Sequence, residues 1–312
     1  MFKSKFLFIG FFILTFISSR GFADEEGLGI KFQDCDTVRL NRFFQVIMPG
    51  KTIEFSVEAK NQKDIEVYAE KGTVKQMSGG KWIYIAPENN DVDDKLAIRN
   101  MVTEQSVVVT IFVLKPLGNL NGEYLNGYRI GIYPKEGYKG KSNYQKPEGF
   151  IEVTEQNKDL FITPHFQLKQ FLCKQQSEWP KYLLLNPKLL VKLEFLINEL
   201  HKEGLNVKTL FIMSGYRTPY YNELIGNVKN SRHVYGDAAD IYVDENHDGV
   251  IDDLNDDKKH SMSDAEVLHK IVSRYDNDPD YEHLMGGLGK YNKNSAHTYF
   301  IHVDTRGYKA RW

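Results

Sequence analysis

Cysteine is almost missing from this chain: Cys35 and Cys173 are the only two in 312 residues. They do not form a C-x-x-C pair, so thiol redox catalysis is excluded as a main activity. In an oxidising compartment the two could join the N-terminal region to the C-terminal half. The alternative is a small buried hydrophobe at Cys173, in QFLCKQ, and an idle Cys35. Sequence carries no Cα separation, so both readings stay open. An excess of charge is also missing. Forty Lys and Arg face 42 Asp and Glu, for a formal charge of −2, which implies no nucleic-acid partner. There is no Pro-, Ser- or Gln-rich tract and no internal repeat of about 20–50 residues. What remains is the composition of an ordinary soluble domain, 41% hydrophobic and 26% charged. The length suits two domains.

Long apolar runs are absent except at the start, MFKSKFLFIGFFILTFISSRGFADEEG. Lys3 and Lys5 precede an apolar core from Phe6 to Ile17, and Gly21 and Ala23 stand at −3 and −1 of a cut after Ala23. That layout predicts a cleaved export signal over residues 1–23. As a helix the apolar core reaches about 18 Å, short of a bilayer of about 30 Å, so an uncleaved anchor is the weaker alternative. Cleavage removes Lys3, Lys5 and Arg20 and no acid, taking the formal charge from −2 to −5. The expectation is an exported protein, periplasmic or wall-associated, with no stable membrane span after signal cleavage.

Within residues 24–115, the short runs TIEFSVEA, DIEVYAE, KWIYIAP and SVVVTIFVL alternate in polarity between Gly, Asn, Asp and Pro clusters. This predicts a small β-sandwich with no ligand or nucleophile spacing, a module for binding or positioning. Residues 116–149 are rich in Gly, Asn, Tyr and Lys and read as an extended connector. Its Tyr128, Tyr133 and Tyr138 suit packing against a neighbouring domain better than stacking on sugars. From 150 to 312 the pattern becomes mixed, giving an α+β fold. Asn186 caps a helix that begins at Pro187, has an apolar face of Leu189, Leu190, Leu193, Leu196, Ile197 and Leu200, and stops at Gly204. KTLFIM (208–213) and TYFIHVD (298–304) read as strands; TPYYNELIG and DAEVLHKIVSRY (264–275) read as helices.

The segment SRHVYGDAADIYVDENHDGVIDD, residues 231–253, carries most of the chemistry. His233 and Asp240 stand seven apart with Gly236, Ala238 and Ala239 between them, and small residues let a loop histidine and a strand aspartate approach one ion. His302 lies on the last predicted strand. Two imidazoles and one carboxylate, with a fourth position for water, form a catalytic zinc set. Such an ion lowers the pKa of water and polarises a carbonyl.

SGYRTPYYNELIG, NSRHVYGDAADI, GGLGKY and FIHVDTRGYKARW follow in that order, and together they resemble the zinc D-alanyl-D-alanine metallopeptidase family over residues 150–312. That family holds peptidoglycan carboxypeptidases and murein endopeptidases and shares its fold with the hedgehog domain. The resemblance implies zinc ligands His233, Asp240 and His302. It implies contact of Arg217 with substrate and oxyanion, and a supporting hydrogen bond from Ser231. Many members carry a His two residues, or a Glu three residues, before the last ligand. Here those positions are Phe300 and Tyr299. The substitute general base is Asp304, two after His302 and on the same strand face. Its alternative is to orient His302 or pair with Arg217. His297 is a weaker candidate.

DENHDGVIDDLN places Asp244, Asn246 and Asp248 at alternate positions, then Gly249, the Val250 carbonyl and Ile251, which resembles an EF-hand or dockerin calcium loop. The closing Glu is replaced by Asn255, leaving Asp252, Asp253, Asp256 or Asp257 to supply that oxygen. A solvated acidic loop is the alternative to a structural calcium.

The expectation is a zinc peptidase acting on peptidoglycan, with an endopeptidase favoured over a carboxypeptidase because HVDTRG resembles that branch. A metal-bearing wall-binding module without catalysis, and a calcium-dependent wall anchor, are the rivals.

Overall fold

The computed structural model describes residues 27–33, 35, 37–89, 93–134, 137–275 and 278–312. The expected export signal, residues 1–23, lies outside them.

The alternating runs of the N-terminal half become two sheets around one apolar core. One sheet runs in the order Thr37–Val38, Gly29–Phe32, Thr52–Glu58, Lys81–Ile85, Thr73–Gln76. The other runs Arg42–Ile47, Ser106–Val113, Asp94–Asn100, Ile65–Ala69, its first pair parallel. Along Asp94–Asn100 burial alternates residue by residue, with Leu96 and Ile98 inward and Lys95 and Arg99 outward. Ser106–Val113 is nearly continuous in apolar character, and the reason is tertiary. Val107, Val109, Ile111 and Val113 face the sandwich core, while Phe112, with Phe44 beside it, joins the core of the C-terminal half. A strand covered on both faces has no polar side to show.

The connector is irregular, yet it does not hang free. Tyr128, Ile130, Tyr133 and Tyr144 are buried in or beside the C-terminal core. The Tyr133 hydroxyl meets that of Tyr216 at 2.9 Å and donates to the Val234 carbonyl at 3.1 Å. Tyr138 is largely exposed, its ring 5.3 Å from that of Tyr144.

The C-terminal half is α+β, as expected. Its five-stranded sheet runs Phe211–Ser214, Ala238–Tyr242, Phe300–Asp304, Gly287–Tyr291, Ala310–Arg311, with only the last pair parallel. Helix α1, Pro187–Lys202, begins where Asn186 accepts the Lys188 N–H at 3.0 Å and buries all six predicted apolar side chains. Helix α2, Pro219–Leu224, is capped by Thr218, and α3, Met262–Tyr275, packs on the Gly287–Tyr291 and Phe300–Asp304 strands. Helix α1 also buries Lys192 and Glu194, which lie off its predicted apolar face; both have partners. Lys192 donates to the carbonyls of Leu284 and Asp304, and Glu194 accepts from His165. Cys35 and Cys173 are both buried, in separate cores, and are not joined to each other, so the disulfide alternative is not realised.

Candidate metal centre

The two central strands put the ligands in register. Asp240 pairs directly with His302 across the Ala238–Tyr242 and Phe300–Asp304 strands, so both side chains leave the same face. His233 sits on a 3-10 turn, Arg232–Tyr235, that must fold back to reach them. Gly236 permits this return: its φ is +71°, and a Cβ there would lie 2.5 Å from the Leu184 backbone. The Gly236 carbonyl then accepts the Asn186 N–H, tying the ligand turn to the cap of α1. The wide H-x6-D gap thus holds one glycine that turns the chain and two alanines buried at the start of the strand.

Among the described residues, one group of three or more His, Cys, Asp or Glu side chains can share an ion: His233, Asp240 and His302, with donor atoms all within 4.8 Å of one another. His233 Nε2 lies 3.2 Å and His302 Nδ1 2.8 Å from Asp240 Oδ1. The opposite ring nitrogens are held elsewhere. His233 Nδ1 lies 2.7 Å from the Gly215 carbonyl, which can only accept, so that nitrogen carries the proton and Nε2 keeps its lone pair. His302 Nε2 lies 3.1 Å from Asp304 Oδ2, which leaves Nδ1 for the centre. Two oriented imidazoles and one carboxylate fit zinc in both number and donor type.

Burial and the neighbouring charges shift all three groups. Burial lowers the pKa of His233 against the pull of Asp240. Burial also disfavours charged His302, but the hydrogen bonds and charges of Asp240 and Asp304 outweigh it and lift that ring to about 9. Asp240 would be raised by burial, yet the two histidines hold it well below the carboxylate range. The His302 ring and the Asp240 carboxylate thus each favour the charged form of the other.

Arg217 lies at this centre and bonds to Asp240. Its Nη2 donates to Asp240 Oδ2 at 2.7 Å and its Nε to Ser214 Oγ at 2.8 Å. Ser231 stands at the N-terminal end of the His233 turn, where its carbonyl accepts the Val234 N–H and its hydroxyl makes no capping bond.

Asp304 is on the predicted strand face but does not open toward the ligands. It is fully buried. Its Oδ1 accepts from the Gly287 N–H at 2.7 Å and the Arg306 N–H at 3.0 Å, and its Oδ2 meets His302. The Arg306 guanidinium closes over both oxygens. Both carboxylate oxygens are thus engaged, one of them by the His302 Nε2 that faces away from Asp240. The reach to Arg217 does not occur, because that guanidinium is taken by Asp240. His297 sits in the Asn294 turn, with Nε2 2.7 Å from the Asn294 amide nitrogen and Nδ1 2.9 Å from the Thr298 carbonyl. Arg306 was not foreseen; its signal was its spacing, two after Asp304, just past the end of the strand.

The acidic loop folds on itself. The Asp244 carboxylate accepts the Asp248 and Gly249 N–H groups at 3.1 Å each, Asn246 Oδ1 accepts the Asp248 N–H at 2.9 Å, and Asp248 accepts the Val250 N–H at 2.8 Å. Of the four substitutes for the closing oxygen, Asp252 folds back, accepting the Glu245 N–H at 2.8 Å. Burial and then the negative Asp244 and Asp248 raise its pKa. Asp253, Asn255 and Asp257 form a second turn of the same pattern nine residues on, legible as D-x-N-x-D but not read as such.

No curated protein matches the chain. Residues 164–267, a segment that carries Arg217, Ser231, His233 and Asp240 and stops short of His302, match the Peptidase M15 family model, a family of zinc D-Ala-D-Ala metallopeptidases.

Proposed function

We propose that this chain is a zinc-dependent peptidase that hydrolyses peptide bonds in peptidoglycan stem peptides or crosslinks, with crosslink cleavage favoured over removal of a terminal D-amino acid. The observation that carries the reading is the convergence of His233 Nε2 and His302 Nδ1 on one Asp240 oxygen, each ring fixed by a partner on its other nitrogen. Zinc held there supplies a Lewis acid and water of lowered pKa. Arg217 is braced by Ser214 and Asp240, and its remaining N–H groups serve the substrate carbonyl or carboxylate oxygen in a fixed fork. Asp304 and Arg306 hold His302 in the tautomer that frees Nδ1. The preference for endopeptidase action rests on the HVDTRG ending, and export to the periplasm or wall rests on the N-terminal sequence.

Calcium in the 244–252 loop is part of the same proposal. The alternating oxygens, the turn at Gly249 and the negative charge gathered at Asp252 support it, with the ion bracing the loop that leaves the Asp240 strand.

One observation favours a second reading, a metal-bearing wall-binding module without catalysis: the residue expected to accept the proton, Asp304, is saturated. Mass spectrometry of purified peptidoglycan fragments decides between them. The chain from residue 24 is incubated with zinc, after chelation, and as H233A. Zinc-dependent loss of a crosslink or a terminal residue, absent in H233A, is the expected result. Unchanged fragments with zinc confirmed bound would sink the peptidase reading in favour of the binding module.

A further inference from the structure

Trp312 takes no part in the chemistry above, yet it stands against the centre. Its ring centroid is 5.1 Å from that of His302. The three ligands are at most 5% exposed, whereas Trp312 is 49% exposed, so its indole forms a lip over a sunken site. The seat for this ring is built. The Trp312 N–H donates to the Leu288 carbonyl at 3.4 Å, its carbonyl accepts from Lys290 at 3.2 Å, and Nε1 donates to the Tyr291 hydroxyl at 2.6 Å. Tyr291 is itself steadied by stacking on Phe300, centroids 4.6 Å apart and planes 3° from parallel. The Arg306 guanidinium lies 5.3 Å from the indole centroid. Gly289, paired with His302 across the sheet, clears the space: a Cβ there would lie 2.4 Å from Nε1. An aromatic ring held this firmly on a residue that is half exposed is a preorganised apolar contact, since its rotamer freedom is already spent in the free protein.

We propose that Trp312 is a substrate-contact residue that sets specificity, its exposed face packing on the methyl group of a D-alanine flanking the scissile amide. The inference rests on the peptidase reading above. Its place beside His302 limits it to a group next to the reacting bond. An indole offers dispersion contact to a methyl that a glycine at that position does not return. Such a contact forms in ground and transition states alike, so its loss raises KM more than it lowers kcat.

The test uses the zinc-loaded chain from residue 24 as wild type, W312A and W312F, on crosslinked fragments carrying either D-alanine or glycine at that position. W312L replaces W312A if the alanine variant does not fold. The expected result for W312A is a KM for the alanine fragment raised about tenfold, kcat within about threefold, and the preference for alanine over glycine reduced to near one. Zinc affinity, read by competition with a chromophoric chelator, stays within about threefold, and W312F restores most of the KM. An unchanged KM and preference, or a loss of zinc affinity that accounts for the lost activity, overturns the inference and leaves the peptidase reading standing. If the wild type cleaves neither fragment, the peptidase reading fails instead. The inference, which rests on that reading, then falls with it.

Discussion

Asp304 accepts N–H bonds from Gly287, Arg306 and His302 while fully buried, and in the proposed reading it orients His302 for zinc. D304N should therefore weaken zinc binding by about 10–100-fold in chelator competition. It should also lower unfolding stability by roughly 3 kcal/mol, because the Arg306 guanidinium loses its counter-charge. Unchanged zinc affinity in a folded D304N protein would remove the orienting role. Beneath the same strand, Lys192 is 5% exposed and donates to the carbonyls of Leu284 and Asp304. Burial outweighs the attraction of Asp304 and lowers its pKa from 10.5 to about 8. A lysine with a depressed folded pKa costs stability while charged. That cost is complete below pH 8 and is relieved as pH climbs toward 10.5, because the unfolded chain then binds the extra proton. Between pH 7.5 and 10, urea unfolding of wild type should gain about 2–3 kcal/mol relative to K192M. A difference that stays flat with pH would show that Lys192 is not held in this way.

At the scale of elements, the 3-10 turn from Arg232 to Tyr235 places His233 only because Gly236 takes a positive φ against the Leu184 backbone. G236A meets both obstacles at once and should cost about 2–4 kcal/mol, with zinc affinity falling as His233 is displaced. Thermal unfolding with metal titration checks it, and a fully stable G236A would contradict the account. The loop that follows, Asp244 to Asp252, gathers Asp244, Asp248 and Asp252 around one turn. Millimolar calcium should raise the unfolding midpoint over that in a calcium chelator, by about 2.7 kcal/mol at a hundredfold excess over Kd, and D248N should abolish the gain. No calcium response in the wild type would leave the loop merely acidic. The element pattern itself was largely legible. The six apolar positions of α1 and the Asn186–Pro187 start follow from helical spacing and capping, and they appear as read. Ser106–Val113 was read as alternating, because a single strand does not announce that a second core covers its other face.

Taken whole, the chain joins its two halves through apolar burial rather than a tether. Phe44 and Phe112 of the sandwich, with Tyr128, Ile130 and Tyr133 of the connector, belong to the same core as α1 and the ligand-bearing sheet. An isolated fragment of residues 150–312 loses these groups and should not show the cooperative thermal unfolding of the chain from residue 24. A sharp, zinc-stabilised transition in the fragment would show that the C-terminal half is self-sufficient.

Local sequence determined the residue types of the centre and their order: His233 and Asp240 in H-x6-D, His302 on a late strand, Arg217 in SGYR, and oxygens at alternate positions of DENHDG. These are short-range patterns, set by backbone turns and donor chemistry that a few consecutive residues encode. Tertiary structure decided the rest. It buried Asp304 and brought the Gly287 N–H from the adjacent strand to it, beside the local contacts of Arg306 and His302. It kept Cys35 and Cys173 apart by placing them in different cores. It also laid Trp312 beside His302 through a parallel strand pairing and the space left by Gly289. The separation of the cysteines and the place of Trp312 depend on which distant segments share a surface, and no spacing along the chain contains that information, whereas the reach of Arg306 to Asp304 is local.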